Sequence, residues 1–439
     1  MCTVSQKFIA HNRAPRVAIE YDLELYGAQR RAQLPFVVGV LADLSGHQAE
    51  PLLPLVERKF TEFDADNLDS RMAVLRPRLN LQMPDAESPG VALRVELAFE
   101  CMADFDAGAV ARRVPALHDA LERRRHLADL VRYLDGKSDA ETLLLDLLRD
   151  TAGLHALADG ALLDERLRDA FRPRSADAAQ TLERAVRGLA HEALEQGTLP
   201  HDDAVEAIDH LLAGLDGRLS AQLRPILQHP EFQRLEGAWR GLQYLVGNTE
   251  TSESLKIRVL NVSKAELGKM LRRHKGSAWD QSPLFKRVVE DEFGTFGGEP
   301  FGCLVGDYFF DHSIADIEVL GELAKICAAA HAPLIAGAAL SFANAGLTAP
   351  SEPALARTVV GHLATPEFAA WRSLQHADES RYIVLAMPRF LARLPWGART
   401  RPVDDFNFEE LTLDPGPEQF VWCNAAYAMA VGIARAHML

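Results

Sequence analysis

In the 439-residue chain, the residue types and spacing that most invite chemistry run from Asp291 to Asp307, DEFGTFGGEPFGCLVGD. Gly294, Gly297 and Gly298 stand between an acidic helix end and the apolar run Phe301 to Val305. Such a cluster could cradle a phosphate. A phosphate loop, however, needs Lys and Ser or Thr after its glycines at a helix start, and a dinucleotide fingerprint needs a strand before the turn. Here no Lys follows and the order of elements is reversed, so the three glycines read as a structural turn at the entrance to a sheet. Other polar groups stand near apolar strands: Asp307, His331, Arg389, Arg393 and the pair Asp404-Asp405. Capping, ion pairing or a surface loop accounts for each, because no nucleophile, base and oxyanion donor come together. No GxSxG, HExxH or HxxEH pattern occurs, and the chain is expected to be no enzyme and to need no cofactor. Arg389, Phe390, Arg393 and Trp396 form an arginine- and aromatic-rich stretch, read either as a protein interface or as a core strand entering a turn.

These residues need elements to position them, and composition bounds what the elements can be. The length suggests two or three domains, and 48% hydrophobic with 25% charged residues is a globular composition. A formal net charge of −15 argues against a nucleic-acid binder, which needs a basic face to displace counterions. The five cysteines are scattered without CxxC or paired His spacing, so neither a disulfide framework nor a zinc site is expected. There is no signal-peptide pattern and no apolar run of about 18 residues, which points to the cytoplasm without membrane insertion.

Taken in order, Val17, Ile19, Tyr21, Leu23 and Leu25 alternate with polar residues up to Gly27, the period of a strand with one wet face. Phe36 to Leu41 and Leu93 to Phe99 give further strands, with a helix from Asp64 to Leu75 between them, stopped by Pro77. From Ala107 the period becomes helical, and the first region reads as a small α+β module. Residues 160–228 read as consecutive amphipathic helices broken near Pro173 and Pro200. In the first of them Leu163, Leu167 and Phe171 share a stripe that packs on its own domain or docks in a partner's groove. A second module begins at His229-Pro230 and alternates helices (Glu231 to Leu245, Ile314 to Ala330) with strands (Leu255 to Leu260, Tyr382 to Met387). The fold class is therefore α+β or mixed α/β: a small module, a helical connector and a larger layered domain.

Two sets of words also resemble a known family. Gln6-Lys7-Phe8-Ile9-Ala10-His11-Asn12-Arg13, Arg58-Lys59-Phe60 and Tyr133-Leu134-Asp135-Gly136-Lys137 resemble the small sheath subunit of the bacterial type VI secretion system, TssB or VipA. His229-Pro230-Glu231-Phe232, Trp239-Arg240-Gly241-Leu242, Pro388-Arg389-Phe390-Leu391, Phe406-Asn407-Phe408-Glu409-Glu410 and Asn424-Ala425-Ala426-Tyr427 resemble the large subunit, TssC or VipB. The resemblance implies a fusion: a small subunit over 1–158, a connector over 159–225 like the start of the large subunit, and a large-subunit core over 226–439. It implies a structural part of a contractile sheath, with other sheath subunits, an Hcp inner tube, a baseplate and the ATPase ClpV as partners. The alternative is a sheath-derived adaptor or cap that does not polymerise by itself. The family's ClpV handle falls on Leu162, Leu163, Leu167 and Phe171, here inside the chain instead of near a free end. Large subunits continue past the Asn-Ala-Ala-Tyr helix, so with Leu439 as its last residue the large-subunit part is expected to be shortened.

Overall fold

The computed structural model describes residues 20–25, 28–48, 51–84, 92–134, 137–173, 175–197, 203–293, 297–342 and 363–438. Val17, Ile19, Gly27 and Gly294 from the sequence reading lie outside these residues. In chain order the strands are β1 (Glu20–Leu25), β2 (Ala28–Gln33), β3 (Phe36–Ala42), β4 (Thr61–Phe63), β5 (Arg78–Pro84) and β6 (Ala92–Ala98). They continue with β7 (Leu255–Asn261), β8 (Phe301–Phe310), β9 (Leu334–Ala338), β10 (Ile383–Ala386), β11 (Phe390–Leu391) and β12 (Trp422–Cys423).

β3 is central. Its sequence FVVGVLA is apolar on both faces, as a strand covered on both sides must be. Val38, Val40 and Ala42 enter one core, and Val37 and Leu41 the other. Six strands join in the order β10-β9-β8-β3-β7-β4, all parallel pairs except the antiparallel β4 at one edge. β1 with β2, β5 with β6 and β11 with β12 make separate antiparallel ribbons. β2 has no counterpart in the sequence reading, because AQRRAQ carries no apolar alternation.

One face of the sheet is covered by helices Pro230–Gly247 and Ala425–Met438, the other by Lys264–Arg273 and Ile314–Ala330. The Pro230–Gly247 helix starts where the sequence puts it: Pro230 occupies the first turn, and the His229 ring accepts from the Glu231 amide at 3.3 Å. Its Trp239 is fully buried and donates its indole N–H to the Leu44 carbonyl at 3.0 Å, fixing the helix against the end of β3. A third core is wholly helical and runs through Pro115–Leu134, Ser138–Arg149, Glu165–Phe171, Ala176–Gln196 and the first half of Ala204–Leu227. The sheet joins strands that lie before residue 158 to strands that lie after residue 225, and the helical core draws on residues from both sides of the boundary at 158.

Candidate interaction site

The glycine turn is stapled from outside. Gly297 has φ +82°, which glycine adopts at little cost, and a Cβ on Gly298 would collide with the Glu292 carbonyl oxygen. Across the turn the Glu299 amide donates to the Glu292 carboxylate at 2.8 Å, and Arg258 of β7 pairs with both Glu292 and Glu299. Arg258 and the two glutamates therefore commit their charges to one another at this turn.

Beyond the C-terminal ends of β3 and β8 lies a cavity of about 620 Å³, the place where open parallel sheets bind ligands. Four of its charged residues pair with one another, Arg234 with Asp43 at 3.1 Å and Lys264 with Asp316 at 2.6 Å, and Arg272 and Asp307 also line it. Burial pushes the Asp307 carboxyl up to about 6, while the Tyr427 hydroxyl and the Asn424 amide beside it pull the other way. Among the described residues, the lining holds no His or Cys. His331 caps its helix at φ +52° and meets the Tyr382 hydroxyl at 3.3 Å, and Asp405 pairs with Arg112.

The arginine- and aromatic-rich stretch divides in two. Arg393 is only 8% exposed and is gripped by two buried carboxylates. Its guanidinium donates to Glu236 at 2.6 and 3.2 Å and to Glu410 at 2.6 and 2.8 Å. Burial opposes the charge, and the two carboxylates override it and raise the Arg393 pKa. Glu236 also accepts from Arg240 at 2.7 Å, and Glu410 from the Trp396 amide at 2.8 Å. Trp396 is buried beside this clamp, so Arg393 and Trp396 serve the chain's own interior. Arg389 and Phe390 are the accessible half: Arg389 lies over the rings of Phe309 and Trp422 at 5.9 and 5.6 Å, and Phe390 packs on Tyr244 at 5.0 Å. Sequence reasoning missed Glu236 and Glu410. A charged residue on the apolar face of a helix, between Phe232 and Trp239, was the available signal for Glu236.

Leu163, Leu167 and Phe171 are buried in the helical core, leaving Leu162 at 81% exposure. The short helix is held at its end by Lys137, whose ammonium donates to the Phe171 carbonyl at 2.8 Å and lies over its ring at 5.8 Å. No helix among the described residues is long and apolar enough to cross a membrane.

Residues 209–438 match the family VipB, described as EvpB/VC_A0108, tail sheath N-terminal domain. Residues 9–161 match the family described as Type VI secretion system, VipA, VC_A0107 or Hcp2. The chain is 53% identical over 269 residues to the type VI secretion system sheath protein TssC1 of Pseudomonas aeruginosa, covering 61% of this chain and 54% of that protein. It is 50% identical over 156 residues to the sheath protein TssB1 of the same organism, covering 36% of this chain and 91% of that protein. The chain thus spans about half the length of its TssC1 relative.

Proposed function

The chain belongs to the type VI secretion sheath family, and from that premise we propose that it is a structural subunit carrying small- and large-subunit parts of a contractile sheath on one polypeptide. The observation that supports this best is the shared sheet. β3, from the VipA-like segment, lies between β7 and β8 of the VipB-like segment, as two halves of one rigid building block would. Such blocks repeat into a helical polymer around an Hcp tube set on a baseplate, and contraction drives the tube outward. Contacts that do not close into a ring generate filaments, and contraction needs two packings of the same blocks. The ion pairs in the cavity wall and the glutamates held by Arg258 at the glycine turn support a non-enzymatic role without a cofactor. In this reading the protein works in the cytoplasm and binds no nucleic acid.

The segments 1–158, 159–225 and 226–439 then correspond to small subunit, connector and large-subunit core. Gly297 and Gly298 fix the entry to β8, and Arg389 and Phe390 are the part of their stretch open to a neighbour. Recognition by ClpV requires the Glu165–Phe171 helix to leave the bundle, because Leu163, Leu167 and Phe171 face inward and Leu162 alone of the four is exposed. Negative-stain electron microscopy tests the reading, first on the chain alone and then with a full-length large subunit. Tubes under the first condition support a self-sufficient sheath subunit, and tubes only under the second a co-assembling or capping one. No tubes under either would refute the sheath role and favour an adaptor bound to sheath or baseplate.

A further inference from the structure

Two exposed features on this chain are complementary in charge, and both present apolar side chains outward. The first surrounds β4, the edge strand of the six-stranded sheet, whose outer side has no partner among the described residues. Two adjoining depressions of about 370 and 350 Å³ share Leu52, Leu53, Val74 and Leu75 as apolar lining. Val74 is 77% and Leu53 62% exposed, on a helix and a loop that present them outward. The rim is basic: Arg58, Lys59, Arg71, Arg76 and Arg78 line the depressions against the single acid Glu57. Arg58 is committed to Glu266 at 2.7 Å. The other four have no carboxylate partner among the described residues, and the buried Nε of Arg71 has no hydrogen-bond acceptor. A basic, apolar groove on a chain of formal charge −15 is out of keeping with its own average.

The second feature is a knob. Leu413 is fully exposed, at 108%, at the tip of the loop between Glu410 and Gln419. The loop is not slack. The Thr412 amide donates to the Gln419 side chain at 3.0 Å, Gln233 donates to the Glu418 carbonyl at 2.8 Å, and the Trp422 indole to the Pro417 carbonyl at 2.7 Å. Asp414 and Glu418 flank the knob, exposed and without cationic partners among the described residues. A leucine held outward by a hydrogen-bonded loop has already met the ordering cost that docking would otherwise add.

We propose that Leu413 of one copy of this chain seats in the Leu53/Val74 groove of the next copy, with Asp414 and Glu418 facing the basic rim. Groove and knob share no residue, so each copy offers one of each, and a contact that is not returned within the same pair lets successive copies extend the chain of contacts. The contact rests on the sheath reading only for the use made of that open-ended geometry.

The test mixes two differently tagged populations, one carrying Val74→Cys and the other Leu413→Cys, under a mild oxidant. The expected result is a disulfide dimer bearing both tags, absent when either partner is replaced by the unsubstituted chain, whose own cysteines serve as the control. In sedimentation, Arg76→Glu with Arg78→Glu should weaken self-association about tenfold or more, and Asp414→Lys with Glu418→Lys in the same chain should restore it. All of these positions are exposed, and unchanged circular dichroism establishes that the variants fold. Absence of the doubly tagged dimer overturns the proposal, as does association of Leu413→Asp equal to that of the unsubstituted chain. If Leu413→Asp still forms tubes with a full-length large subunit, the contact falls and the sheath role stands. A doubly tagged dimer without tubes under any condition keeps the contact and removes the sheath role.

Discussion

Replacing Arg393 by Met removes the cation shared by Glu236 and Glu410 while keeping an unbranched stem about as long as the arginine's aliphatic part. The guanidinium makes four hydrogen bonds to carboxylate oxygens, and both acids are essentially without solvent access. Arg240 remains on Glu236 at 2.7 Å, and the Trp396 amide remains on Glu410, so the carboxylates keep part of their solvation. Breaking a buried pair from one side costs about 3–5 kcal/mol, because the surviving charge has lost both water and partner. The variant should lose that much in urea unfolding followed by tryptophan fluorescence, where Trp239 and the adjacent Trp396 report on the same core. Adding Glu236→Gln and Glu410→Gln to Arg393→Met should recover about half or more of the loss, since neutral amides leave no orphaned charge. A loss below about 1 kcal/mol in the single variant, or no recovery in the triple, would refute the view that this ion cluster locks the helix to the C-terminal segment.

Asp307 supplies a pH signature. Its folded-state value of about 6 lies above the ordinary 3.8, so between these limits the folded chain holds a proton that the unfolded chain gives up. Stability therefore falls as pH rises from about 4 to about 6 and levels off above, with a slope from this group of at most about 1.4 kcal/mol per pH unit. Asp307→Asn should remove that component from the thermal-unfolding profile, and parallel profiles for the two proteins would contradict the assignment. Gly298→Ala should destabilise by about 1–3 kcal/mol in the same urea assay, because the added methyl meets the Glu292 backbone and cannot be relieved by a side-chain rotation; an unchanged midpoint would show that the turn is slack. Leu167→Ala, in the helical core, should cost about 2–5 kcal/mol and speed proteolysis of the segment around residues 165–171; protection equal to the unsubstituted chain would mean that this helix is not held by its apolar stripe.

What could be read from the sequence was local. The strands at 36–41 and 255–260 and the helices starting at Pro230 and Ile314 follow from apolar period and caps, and the structure places them within a residue or two. Which strands pair is not a local property. β3 meets β7 and β8 across more than 200 residues of chain, and its doubly apolar pattern announces burial without naming neighbours. Arg393 shows the same limit: composition left its stretch open between an interface and a core strand entering a turn, its partner Glu236 lies 157 residues away, and only the fold makes it an interior strut. The buried stripe of Leu163, Leu167 and Phe171 was legible as a stripe, while the surface receiving it comes from helices before the connector and from later helices within it.

The position of β3 also sets a timetable. Its seven residues leave the ribosome about 210 residues before β7 and about 260 before β8. At roughly 5–20 residues per second, that leaves a fully apolar strand waiting on the order of ten seconds or more for its first neighbour. During that interval FVVGVLA is a β-prone, uncharged segment with both edges open, the kind that pairs with the wrong chain. Two separate polypeptides would face the same gap as a search for one another in the cell. A single polypeptide converts the search into loop closure and fixes the ratio of the two parts at one to one in every molecule made.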